Sequence, residues 1–199
     1  MGHPEATLTV WATTDLHGER AWELVPMTAR AAGAVLLVDN GDAFGGPAGL
    51  RFSLEGGPCH TTAWMNGLGL AAMNVGNHDL DPGVEGLLAR AEQARFPVLS
   101  ANLLRDGERL LPDRAVVETP AGPVGVAGAI TPLARVMWPP SVRARLCITD
   151  PVEALAGSCA ALRAGCRFVI ALAHFGFPLG VEPPEENPGP RLLDRLCTP

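Results

Sequence analysis

The sequence predicts an α/β fold in which strands alternate with helices and deliver polar side chains to one end of a sheet. Four short apolar runs, residues 8–13, 34–38, 70–75 and 168–173, are each followed closely by Asp, Asn or His: Asp15 and His17, Asn40 and Asp42, Asn77 and His78, and His174. Between them lie segments whose apolar residues recur at three- and four-residue steps, the helical period. Strands that each end in a ligand-type side chain describe a site at one edge of a parallel sheet, where open α/β sheets hold their ligands. A third observation modifies this picture. Residues 115–118 and 124–130, joined by a Pro120-Ala121-Gly122 turn, read as a β-hairpin, which implies mixed pairing and two sheets packed together.

Taken in order, residues 8–13 suit a buried first strand, and 19–32 form an amphipathic helix that Pro26 kinks or shortens and Gly33 ends. A second strand, 34–39, leads into the Gly41-Asp42 turn. Residues 45–58, rich in Gly and carrying Pro47 and Pro58, read as a loop over the site. A short helix over 61–68 and a strand over 70–75 follow, then a helix over 84–94 that Phe96-Pro97 stops. A strand over 97–101 is terminated by Asn102, which either lines the site or, the reading favoured here, caps the next turn. Trp138-Pro139-Pro140 reads as loop. Asp150 is an N-cap with Pro151 at the first helical position of a helix reaching about residue 164. The strand 167–173 presents His174; 180–190 reads as an exposed loop, and 191–196 starts a last helix.

At 199 residues, 47% hydrophobic and 18% charged, the chain is composed to bury one substantial core. A net charge of -6 argues against a polymeric nucleic-acid partner, which clustered cations would have to hold. A small phosphorylated molecule stays compatible, because metal ions can supply positive charge locally. The five cysteines show no C-x-x-C spacing and read as buried thiols, with no disulfide framework or zinc knuckle. No signal peptide and no membrane-spanning run is apparent, so the chain reads as soluble, with a cytoplasmic location favoured over a periplasmic or extracellular one.

Asp15 and His17, one residue apart, point to the same side of an extended strand end and can grip one cation together; a plain turn beside an exposed histidine is the competing reading. Asn77 and His78 are more specific, offering a neutral carbonyl oxygen to a metal and, beside it, an imidazole directed elsewhere. Mixed carboxylate, imidazole and amide ligands suit divalent transition metals better than calcium or a thiolate zinc site. Asp79 reads as a cap or supporting residue. His60 reads as structural or solvated, His3 has no role, and Trp11, Trp22, Trp64 and Trp138 read as packing residues.

The phrases Thr13-Thr14-Asp15-Leu16-His17-Gly18, Val38-Asp39-Asn40-Gly41-Asp42, Gly76-Asn77-His78-Asp79, residues 96–102 and His174-Phe175-Gly176 occur in the order of a known family. The chain resembles the calcineurin-like metallophosphoesterase superfamily, in its 5′-nucleotidase and 2′,3′-cyclic-nucleotide phosphodiesterase branch. The resemblance implies two packed mixed β-sheets flanked by helices, a four-layer αββα arrangement, in one catalytic domain over residues 1–199. It also implies two divalent metal ions (Mn, Zn, Fe or Mg). By the same resemblance Asp15 and His17 bind the first, Asp42 bridges both, and Asn77 and His174 bind the second. His78, oriented by Asp81, becomes the catalytic pair that stabilises the transferring phosphoryl group. The implied activity is hydrolysis of a nucleotide phosphoester by hydroxide activated at the dinuclear centre. No segment of residues 177–199 matches the Gly-His-x-His motif of the family, and its C-terminal nucleoside-recognition domain is missing, so the expectation is a domain incomplete at the C-terminus. The competing expectations are a metal-binding fragment that is weak or inactive in catalysis and serves regulation or interaction, and an amide hydrolase using the same ligand types.

Overall fold

The computed structural model describes residues 8–18, 36–45, 59–176 and 188–197. The expected helix over 19–32, most of the loop over 45–58 and of that over 180–190, and His3 and Trp22 lie outside the described residues. The strands are β1 (Val10–Thr13), β2 (Leu36–Asp39), β3 (Ala72–Asn74), β4 (Val98–Leu99), β5 (Leu103–Arg105), β6 (Glu108–Arg109), β7 (Arg114–Val117), β8 (Val124–Ile130), β9 (Leu146–Ile148) and β10 (Phe168–His174). The helices are α1 (His60–Leu68), α2 (Gly83–Gln93), α3 (Ala134–Met137), α4 (Pro140–Arg143), α5 (Pro151–Arg163) and α6 (Gly189–Cys197), and a 3₁₀ turn spans His78–Leu80.

β1 to β4 pair in sequence order as one sheet, parallel throughout. A second sheet has the order β10-β8-β7, with β8 parallel to β10 and antiparallel to β7. The expected hairpin is therefore present, but only this second sheet is mixed among the described residues. A third, small antiparallel sheet, β6-β5-β9, was not anticipated.

The two main sheets pack face to face through Leu36, Val38, Ala72 and Leu99 on one side and Val124, Val126 and Leu172 on the other. Because successive side chains of a strand point to opposite faces, β3 and Val75 beyond it turn Met73 and Val75 the other way, onto Met65 of α1 and Val84 and Leu87 of α2. On β8 the alternate residues Ala127 and Ala129 face Val152, Leu155, Cys159 and Leu162 of α5. Helix, sheet, sheet and helix follow one another as four layers. The side chain of Asn74 lies between the sheets, its amide donating to the Ala129 carbonyl at 3.0 Å and the Leu172 carbonyl at 3.3 Å. Gly128 is what admits it, since a Cβ there would sit 2.4 Å from Asn74 Oδ1.

Several expectations need correction. The loop expected over Trp138-Pro139-Pro140 narrows to Trp138 and Pro139, because Pro140 opens α4; Trp138 is buried in the core, as expected of a packing residue. Asn102 neither lines the cleft nor caps a turn. It is buried, accepts the Ile130 N–H at 2.9 Å and donates to the Ile130 carbonyl at 2.9 Å, tying the residue just before β5 to the end of β8 as a backbone would. The cysteines are free thiols as expected, but Cys147 and Cys197 are exposed. No described helix is long and apolar enough to cross a membrane.

Candidate metal centre

The site lies where the C-terminal ends of β1, β2 and β3 meet the C-terminal end of β10. It therefore spans the edges of two packed sheets, which corrects the expectation of a single parallel edge: Asp15, His17, Asp42 and Asn77 follow strands of the first sheet, and His174 ends a strand of the second. The loop after β1 runs against the loop after β2, with the Asp15 N–H donating to the Gly41 carbonyl at 2.9 Å and the His17 N–H to the Asp42 carbonyl at 2.8 Å. Asp15, His17 and Asp42 all adopt left-handed backbone angles, φ 56, 49 and 59 degrees. That region is costly for non-glycine residues and persists where surrounding contacts enforce it.

Two buried carboxylates supply those contacts. Asp79 accepts N–H groups from Asp42 at 2.9 Å, Phe44 at 2.7 Å and Gly76 at 2.8 Å, tying the loops after β2 and β3 together. Burial, with the charge of Asp42, pushes its carboxyl up to about 6 against the pull of those N–H groups. Asp39 accepts the Thr13 hydroxyl at 2.6 Å and the Gly41 N–H at 2.9 Å, and burial pushes it up to about 7. Behind them, Arg90 of α2 is buried and donates to the Phe44 carbonyl at 2.9 Å. The approach is close enough to demand glycine at Gly76, where a Cβ would lie 2.1 Å from Asp42 Oδ1.

On this frame the side chains form two groups. Asp15, His17 and Asp42 each offer a ligand atom, all within 4.8 Å of one another; His17 Nε2 is 3.9 Å from Asp15 Oδ1 and 3.9 Å from Asp42 Oδ2. His174 Nε2 lies 3.3 Å from the same Asp42 Oδ2 and 3.1 Å from Asn77 Oδ1. One oxygen of Asp42 therefore belongs to both groups. His174 Nδ1 donates to the Asn40 carbonyl at 2.8 Å, which fixes the ring and leaves Nε2 directed at the two oxygens. Burial works against a charge on His174, but the Asp42 carboxylate outweighs it and the imidazole is pushed up to about 9. Burial likewise opposes ionisation of Asp42, yet His174 and the His78 N–H hold its carboxyl below the ordinary range.

His78 stands beside the first group, its ring edge-on to that of His17 with centroids 5.2 Å apart. Its Nδ1 is 3.1 Å from Asp81 Oδ2, and its backbone N–H donates to Asp42 Oδ1 at 2.8 Å. The cleft over the second group has a volume of about 370 Å³, with Thr131, Leu133 and Phe175 joining Asn77 and His174 on its walls.

No family model matches the chain. It is 35% identical over 152 residues to the snake venom 5′-nucleotidase of Gloydius brevicauda, an alignment that covers 72% of this chain and 25% of that protein. It is 26% identical over 204 residues to the 2′,3′-cyclic-nucleotide 2′-phosphodiesterase/3′-nucleotidase of Yersinia enterocolitica, covering 85% of this chain and 31% of that protein. The fold superposes on a calcineurin-like phosphoesterase of Bacillus subtilis with a TM-score of 0.79 at 24% identity, covering 93% of this chain and 67% of that one. In sequence the chain is similar to 5′-nucleotidases and to a 2′,3′-cyclic-nucleotide 2′-phosphodiesterase/3′-nucleotidase, and in fold to a calcineurin-like phosphoesterase. It spans about a quarter of the length of the snake venom relative.

A calcineurin-like phosphoesterase fold implies divalent metal ions, and the residues here fit them. Two carboxylates, two imidazole nitrogens and an amide oxygen converge, an electron-rich set that suits hard to borderline cations. The sequence reading missed four parts of this candidate site. Asn40, noted at the end of a strand but given no role, grips His174 with its carbonyl and the Ala173 carbonyl with its amide at 3.1 Å. Asp39 was passed over as a strand residue, although a carboxylate inside an apolar run is itself a signal of a buried partner. Thr131 and Leu133 gave no signal, because only folding brings them to the cleft. His60 is exposed at the start of α1, and Asp79 supports the loops without joining either group.

Proposed function

We propose that the chain is a catalytic domain hydrolysing nucleotide phosphoesters, either 5′-phosphomonoesters or 2′,3′-cyclic phosphodiesters, with two divalent cations of the Mn, Zn, Fe or Mg type. The observation that carries this reading is the position of Asp42 Oδ2, common to the Asp15–His17 group and the Asn77–His174 group. A phosphate is an anion, and Asp15 and Asp42 would repel it, so the site as built needs positive charge before a phosphoester can enter. Asp15, His17 and Asp42 would hold one cation; Asp42, Asn77 and His174 would hold the other. A bound pair supplies Lewis acidity and charge stabilisation to the phosphoryl group and lowers the pKa of water.

The chain's own residues do the rest. Asn40 holds His174 through Nδ1 so that Nε2 would be the ligating nitrogen, and the imidazole would give up its Nε2 proton to solvent when a metal binds. Asp81 engages His78 Nδ1, which leaves Nε2 to donate to a phosphoryl oxygen or to the leaving oxygen as general acid. Asp39 and Asp79 hold the strained loops in place, so the ligands are arranged before the substrate arrives. The test is hydrolysis of AMP, 2′,3′-cyclic AMP and a chromogenic phosphodiester with added Mn²⁺, compared with the chelated protein. Turnover of a phosphoester that vanishes with chelator supports the reading; equal rates with and without metal, or hydrolysis of an acyl amide instead, would refute it.

A further inference from the structure

Asn77 presents a problem that its position alone does not solve. A carboxamide has two ends of nearly equal size, and only the oxygen can serve a cation; the nitrogen would turn hydrogens toward it. In the structure Oδ1 faces His174 Nε2, and Nδ2 donates to the sulfur of Met137 at 3.4 Å. A thioether has no hydrogen to give, so it accepts the amide N–H and offers nothing to a carbonyl oxygen. The flipped amide would set its oxygen against the sulfur lone pairs and its N–H groups toward the imidazole.

Met137 ends α3, which follows β8, so it belongs to the second sheet's side of the site, as His174 does. Asn77 crosses from the first sheet and is gripped at both ends by the second. Packing does not account for Met137, whose side chain is a large apolar group left 52% exposed beside Val136 at 71%. We infer that Met137 is a positioning residue whose sulfur selects the amide orientation of Asn77, keeping the oxygen toward the second cation. The inference deepens the two-cation reading above and rests on it for its metal readout.

The experiment uses the whole chain as wild type, Met137→Leu and Met137→Gln, in two measurements. In calorimetric titration with Mn²⁺, leucine, which keeps the bulk and loses the acceptor, should weaken one of two binding events about two- to tenfold, the scale of one hydrogen bond, and leave the other alone. Glutamine, whose carbonyl can accept the same N–H, should restore it. In the metal-free protein, the side-chain amide NMR signals of Asn77 should move in Met137→Leu and return in Met137→Gln. Unchanged binding and spectra in the leucine variant, equal weakening of both events with a lowered melting temperature, or failure of glutamine to restore would each overturn the inference. If the wild type binds no Mn²⁺, the two-cation reading fails, and the metal-free Asn77 spectra alone then decide whether Met137 orients the amide.

Discussion

Gly76→Ala is a one-methyl change with a large expected effect. The new Cβ would stand 2.1 Å from Asp42 Oδ1, 2.4 Å from Asp42 N and 2.7 Å from Asp42 Cγ, whereas ordinary contacts begin at 3.4 Å, so one loop must move by 1.3 Å. Neither loop can move freely. The His78 N–H bond to Asp42 Oδ1, 2.8 Å long, and the Asp42 N–H bond to Asp79 Oδ2, 2.9 Å long, both cross between the loops, and a displacement of that size carries them out of hydrogen-bonding range. Losing two buried bonds at about 1 to 3 kcal/mol each gives roughly 3 kcal/mol of destabilisation. For a domain of this size that is about 6 to 12 °C in melting temperature. Metal–ligand distances tolerate only a few tenths of an ångström, so Mn²⁺ binding should fall further than stability does. Gly157→Ala is the control: it lies in the interior of α5 with nothing within 4 Å of its Cβ. It should gain about 0.5 to 1 kcal/mol from helix propensity. Thermal melts and Mn²⁺ titration of both variants check this. If Gly76→Ala melts and binds metal like the wild type, the close approach of the two loops is wrong.

Other outcomes follow from the same geometry. Asp42→Asn should weaken both Mn²⁺ binding events in calorimetry, since it removes the charge that both groups share; loss of one event alone would show that Asp42 does not bridge. His78→Ala should keep the metal content, measured by elemental analysis, while kcat falls about 10² to 10⁴-fold, the usual size of an acid–base contribution. The metal-free chain should lose stability as pH rises. Asp39 and Asp79, raised to about 7 and about 6, bind protons more tightly when folded, so their effect is most favourable at low pH and is lost as pH climbs through those values. His174, raised to about 9, contributes stability that is full below its ordinary 6.5 and lost through 9. Asp42, held low, opposes this only on acidification below its ordinary 3.8. Denaturant melts in chelator should therefore show a decline from about pH 4 to 7, set by the two carboxylates, and a further decline on the order of a few kcal/mol from about pH 6.5 to 9, set by His174; a flat or rising profile below pH 7 would count against the buried carboxylates, and one above it against the His174–Asp42 pair.

How far the sequence reveals this molecule depends on whether a feature is local. Strand ends announce themselves because an apolar run stops at a polar ligand, and each of the five side chains proposed as ligands lies just beyond, or at the end of, such a run. The N-cap at Asp150 was legible for the same reason, and its carboxylate accepts the Val152 and Glu153 N–H groups. One local signal was missed. Asp106-Gly107 separates β5 from β6, and both residues have positive φ, 54 and 86 degrees, the signature of a two-residue hairpin turn. What could not be read was the partition of strands between sheets. Nothing in the residues of β10 says that it pairs with β8 rather than with β1 to β4, so His174 was placed on the wrong sheet edge. Nor could sequence alone show that Asn40, Asn74 and Asn102 act as inter-strand clasps, because their partners lie 28 to 133 residues away.

The central claim, two cation sites that share one oxygen of Asp42, is tested most directly by anomalous diffraction from a crystal of this chain soaked in Mn²⁺. Two peaks should appear on either side of Asp42 Oδ2, about 3.5 to 4 Å apart. One should be flanked by Asp15 and His17, the other by Asn77 and His174. A single peak, or two peaks of which either fails to touch Asp42, would contradict it.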